Sequence, residues 1–76
     1  MSGLEKRSLS IAGHRTSLAL EPEFWAALET AARGNGVSLP QLIAWIDQTR
    51  AESAPDRPLA SACRVYALRT QDAGAN

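Results

Sequence analysis

The clearest pattern in the chain runs from Arg15 to Leu20, where Thr16, Leu18 and Leu20 alternate with Arg15, Ser17 and Ala19. Alternation with a period of two predicts a half-buried strand. Upstream, Ser8-Leu9-Ser10-Ile11 alternates too, but its apolar residues carry odd numbers and those of the later run even ones. Ala12-Gly13-His14 lies between, so a bulge or turn is expected at Gly13. Two arrangements satisfy the pattern. Either residues 8–11 fold back on 16–20 as a hairpin within one chain, or residues 15–20 pair with the same strand of a second subunit and 8–11 belong to an arm. No internal repeat or low-complexity segment stands out.

Glu21-Pro22-Glu23 predicts a helix start, with proline where its missing N–H costs nothing and carboxylates near the positive end of the dipole. Phe24, Leu28 and Ala31 recur at helical spacing to about Arg33, Trp25 and Ala32 widen the stripe, and Gly34-Asn35-Gly36 is a stop. A second helix opens at Ser38, an N-cap with Gln41 completing a capping box and Val37 placed to staple onto Leu42. Its apolar face is Leu39, Leu42, Ile43 and Ile46, with Trp45 beside it, and its end is expected near Arg50. Residues 51–58, with Pro55 and Pro58, read as a linker. Leu59, Ala62, Cys63 and Tyr66 then predict a third helix over 59–70, and residues 71–76 a disordered tail.

Composition narrows the function classes. With 76 residues the chain makes one small domain, and a domain of that size buries only roughly 60% of its unfolded surface, a marginal core that a second subunit would complete. One cysteine closes no internal bridge, and one histidine with one cysteine falls short of a structural zinc site. No metal or cofactor is expected. Enzyme chemistry is not expected either: His14 is remote in sequence from Cys63, and Gly34-Asn35-Gly36 follows a helix where a phosphate loop would follow a strand. Cys63 reads as a packed, inert thiol, and Trp25 and Trp45 as core and interface packing. The absence of an apolar run of signal or membrane length predicts a cytoplasmic protein with no membrane contact. Eight Lys and Arg balance eight Asp and Glu, yet Lys6, Arg7 and Arg15 face only Glu5 near the start, whereas Glu21, Glu23, Glu29 and Asp47 outnumber Arg33 and Arg50 in residues 21–50. The cationic start nominates a phosphate contact, against the plainer reading of a solvated arm.

The run Arg15-Thr16-Ser17-Leu18-Ala19-Leu20, a helix, then Gly36-Val37-Ser38 before a second helix resembles the ribbon-helix-helix (Arc/MetJ/CopG-like) superfamily of bacterial repressors and antitoxins over residues 14–50. The string KRSLSIAGHRTSLALEPEFWAAL with its C-terminal helix looks more narrowly like a small bacterial subfamily of that kind, over residues 6–69. The resemblance implies a mainly α fold with one short β-strand: an arm (1–13), the ribbon-helix-helix domain (14–50), the linker, and the third helix. In this architecture two chains intertwine as a homodimer, and residues 15–20 of each form a two-stranded antiparallel inter-chain ribbon. The ribbon enters the major groove of double-stranded DNA, so the implied base readers are Arg15, Ser17 and Ala19. Implied phosphate contacts are Lys6, Arg7, His14 and the start of the second helix at Ser38, Leu39 and Gln41, although Pro40 offers no N–H there. The implied dimer core is Thr16, Leu18, Leu20, Phe24, Leu28, Leu42, Ile43, Trp45 and Ile46.

The function that follows is a transcriptional repressor or autoregulator. Two alternatives stand beside it. One is an antitoxin whose chain beyond Arg50 covers a toxin, with the C-terminal helix as the protein-binding segment. The other is an interaction module that kept the scaffold and lost DNA, for which Ala19, Pro40 and the zero net charge speak.

Overall fold

The computed structural model describes residues 3–74. Strands β1 (Glu5–Ile11) and β2 (His14–Leu20) pair antiparallel inside one chain. The ribbon is thus the hairpin of the two arrangements, and residues 5–11, expected in an arm, are its first strand. The turn explains why. Ala12 and Gly13 sit at φ 51° and 84°, and left-handed backbone at both central residues is the two-residue turn whose twist matches that of the strands it joins. Gly13 adopts it freely. Ala12 carries strain of about 1–2 kcal/mol, the cost of crowding a Cβ against the following carbonyl.

Three helices pack beneath the ribbon: α1 (Pro22–Gly34), α2 (Leu39–Ser53) and α3 (Leu59–Gly74). β1 rests on α2 and β2 on α3, and the helices contact one another pairwise. Pro22 opens α1, and Gly36, at φ 69°, turns the chain after it. Ser38 caps α2 with both bonds of the capping box: Gln41 N–H donates to Ser38 Oγ at 3.2 Å, and Ser38 N–H to Gln41 Oε1 at 2.8 Å. α2 continues to Ser53, past the expected end at Arg50, because Arg50 is itself a tether. Its guanidinium pairs with Asp47 at 2.9 Å and donates to the carbonyls of Pro55 and Arg57, which fixes the short connection to α3. α3 also outruns its expected end, remaining helical through Gly74. The last two residues of the predicted tail, and the first two of the predicted arm, lie outside the described residues.

One core joins all five elements. Leu20, Trp25, Leu28, Ile43 and Cys63 are fully enclosed, with Leu9, Ile11, Leu18, Leu42, Ile46 and Ala67 around them. Burying each of the large aliphatic side chains stabilises the fold by roughly 1.5–3 kcal/mol. α3 belongs to this core through Cys63 and Ala67, and Arg64 ties it to the start of α1 by an ion pair with Glu21 at 2.9 Å.

Candidate nucleic-acid interface

Alternation along a pleated hairpin sends every second side chain to the same face. On the outer face the register sets Lys6 opposite Ala19, Ser8 opposite Ser17, and Ser10 opposite Arg15. Five of these six residues are exposed and Ala19 is half-buried. No carboxylate stands among them. The expected readers Arg15, Ser17 and Ala19 therefore share one face, and Lys6, expected on a phosphate, joins them. Ser8 and Ser10 complete the face; neither is among the expected readers, because the resemblance places residues 8–11 in an arm. Their period-two spacing was the available signal.

Arg7 is on the other side. Its guanidinium pairs with Glu5 at 2.6 Å and Glu29 at 2.8 Å and lies 4.5 Å from the centroid of the Trp25 ring. Arg7, expected on a phosphate, thus has its guanidinium engaged in joining β1 to α1. Trp25 is fully buried and donates its indole N–H to Glu5 O at 2.7 Å, so the first strand is clamped to α1 by both residues. His14 pairs with Ile11 at the hairpin tip and has the parity of the helix-facing residues, which sets it apart from Arg15.

The start of α2 also departs from expectation. Its capping box consumes the N–H groups of Ser38 and Gln41, and Pro40 has none. Of the amides expected to hold a phosphate, that leaves Leu39's. The helix start is a well-made cap and a poor anion cradle.

The residues expected in a dimer core are mostly spent within one chain. Leu18, Leu20, Leu28, Leu42, Ile43 and Ile46 are buried there, while Phe24 and Thr16 are half-buried. The reason is that β1 and α3 supply from the same chain the apolar partners that the resemblance assigned to a second one. Trp45 is the exception at 54% exposure, meeting Tyr66 edge-on with centroids 5.8 Å apart. Phe24 lies under Arg64, 5.9 Å from its guanidinium carbon. Arg64 in turn holds the Glu21 carboxyl below its usual pKa, chiefly by a hydrogen bond.

Burial, with Asp47 adding to it, pushes the Cys63 thiol up to about 11, so the sulfur is a poor nucleophile at neutral pH. Among the described residues no group of three or more His, Cys, Asp or Glu comes together, and no helix is long and apolar enough to cross a membrane.

The ribbon-helix-helix domain model matches residues 4–71. The chain belongs to the ribbon-helix-helix family. That family is one of DNA-binding regulators and antitoxin-like proteins, non-enzymatic modules that typically bind DNA as dimers. Among solved structures, this ribbon-helix-helix chain is similar to an uncharacterized protein from Bordetella pertussis Tohama I, with a TM-score of 0.80 and 34% identity over 96% of its own length. It spans 59% of that protein's chain. No curated protein matches it.

Proposed function

We propose that this ribbon-helix-helix protein is a sequence-specific DNA-binding regulator that lays the outer face of its β1–β2 hairpin in the major groove. The observation that carries the reading is that face itself: two cations, three hydroxyls and one methyl on a two-stranded ribbon, free of carboxylates. A major groove about 12 Å wide admits such a ribbon. Arg15 donates two bonds to guanine O6 and N7, Ser17 and Ser8 bond base edges or phosphates, and Ala19 packs on a thymine methyl. Occupying an operator in this way would repress transcription.

The packing of α3 favours a regulator over an antitoxin. Antitoxin-type tails order on their partner, whereas Cys63, Ala67 and the Arg64–Glu21 pair bind α3 into the core. Selection of bound sites from random duplexes at two salt concentrations tests the reading. A preferred site is expected, with Arg15→Ala flattening the preference. If the wild type selects nothing at low salt, or Arg15→Ala keeps the same site, the hairpin is no reader and the interaction module takes its place.

A further inference from the structure

The two strands of the ribbon repeat one another. A step of nine residues carries Lys6 to Arg15, Ser8 to Ser17, Leu9 to Leu18, Ser10 to Ala19 and Ile11 to Leu20. Three positions change character: Glu5 becomes His14, Arg7 becomes Thr16, and Ser10 loses its hydroxyl at Ala19. The step is odd, which is why the apolar residues carry odd numbers in β1 and even ones in β2 although they face the same helices. That shift of phase hides the repeat from a reading of periodicity alone.

The pairing register gives the repeat a geometric meaning. Paired residues always sum to twenty-five, so the nine-residue step is also a twofold rotation of the ribbon about the Ser8–Ser17 pair, turning Lys6 opposite Ala19 into Arg15 opposite Ser10. Burial follows the same rotation except at Ser10 with Ala19 and at Glu5 with His14. Leu9 and Leu18 are 9% and 4% exposed, Ile11 and Leu20 6% and 0%, and Lys6, Arg15, Ser8 and Ser17 are all exposed. Beneath the ribbon each strand has its own helix, α2 under β1 and α3 under β2.

We propose that the hairpin is a complete, pseudo-twofold reading head carried by one chain, which takes a short, nearly palindromic stretch of duplex DNA with Arg15 and Lys6 on guanines at its two ends. The inference rests on the DNA-binding reading above. Duplex DNA has local twofold axes of its own, and when one coincides with the axis through Ser8 and Ser17, Arg15 and Lys6 reach equivalent bases on opposite strands. From Lys6 to Ser10 a strand advances about 14 Å at ~3.4 Å per residue, which is about four base pairs at a ~3.4 Å rise. Arginine and lysine both pair with guanine, but the guanidinium is a fixed planar fork and the ammonium a mobile point charge. The two halves of the site therefore match in sequence and differ in stringency.

The test selects sites for the full chain from duplexes with a random core, then counts chains per selected core by native mass spectrometry. One chain per core and an imperfect inverted repeat are expected. Arg15→Ala should weaken binding to the selected core by about 5- to 150-fold, and Lys6→Ala by less. The decisive variant combines Lys6→Arg with Ser10→Ala, which makes the outer face chemically identical under the rotation and should turn the selected site into a perfect inverted repeat. Its melting temperature should stay within about 4 °C of wild type, because both positions are exposed. Two chains on each core, or a wild-type site already perfect and unmoved by the double variant, overturns the proposal and leaves DNA reading intact. Failure to select any site at low salt removes DNA reading, and the proposal with it.

Discussion

Lys6 and Arg7 are neighbours in sequence and stand on opposite faces of β1, so replacing each by alanine separates charge that meets DNA from charge that holds the fold. Arg7→Ala removes two ion pairs whose carboxylate partners are 43% and 42% exposed. At that exposure each contributes about 0.2–1 kcal/mol. It also removes the guanidinium from the face of Trp25, 4.5 Å away, a contact of about 0.5–2 kcal/mol. The expected total is roughly 1–4 kcal/mol, and in a domain of this size each kcal/mol lowers the melting temperature by about 4–8 °C. Lys6→Ala should leave melting within about 4 °C of wild type, since it strips one exposed side chain. The DNA assay should show the converse. Whether its ammonium ends on a base edge or a phosphate, Lys6 displaces a counterion, so its loss should make the slope of log K against log salt shallower by about 0.9, with Arg7→Ala leaving the slope unchanged. Melting followed by tryptophan fluorescence, together with anisotropy titrations at four salt concentrations, measures both. A slope reduced as much by Arg7→Ala as by Lys6→Ala, with melting unaltered, would refute the division of labour between the two faces.

Three other outcomes are expected. Ala12→Asn should stabilise the fold by about 0.5–1 kcal/mol, because asparagine tolerates the left-handed backbone of the turn; denaturant unfolding measures the gain, and a loss would mean the turn is built differently. Ser38→Ala should cost about 1 kcal/mol of stability by breaking the capping box and leave the salt slope unchanged; a shallower slope would restore the helix start as a phosphate anchor. Because burial raises the Cys63 thiol to about 11, the folded chain keeps a proton that the unfolded chain loses near pH 9. Stability attributable to this group is complete below about pH 9 and falls by about 2–3 kcal/mol as pH rises through 11. Unfolding of wild type and Cys63→Ala between pH 8 and 11 should show a steeper decline in the wild type, and parallel curves would sink the argument.

The helices were legible because their signals are local. Pro22 at a first turn, and Ser38 with Gln41 three residues later, each act within one turn of helix, and the structure bears out both starts. β2 was legible from its own alternation. What escaped depended on partners remote in sequence. Whether β2 finds its mate in the same chain is decided by two left-handed residues at Ala12 and Gly13, and alanine is an unusual occupant of the first. The commitment of Arg7 was equally invisible, since it needs Trp25 and Glu29 brought across from α1. The ends of α2 and α3 were underestimated where no cap marks them. Arg50's bonds to the carbonyls beyond α2 have no counterpart in a pattern of apolar positions.

The seat of β2 on α3 orders events during synthesis. The 38 residues between Leu20 and Leu59 take about 2–8 s to translate, and throughout that interval the second strand exists while the helix beneath it has not been made. A two-stranded hairpin alone is marginal in water. The nascent chain therefore lacks the seat of β2 until α3 emerges, and the core that holds Leu18 and Leu20 closes only when that last helix arrives. A chain that stalls before α3 is one for chaperones or proteases to meet.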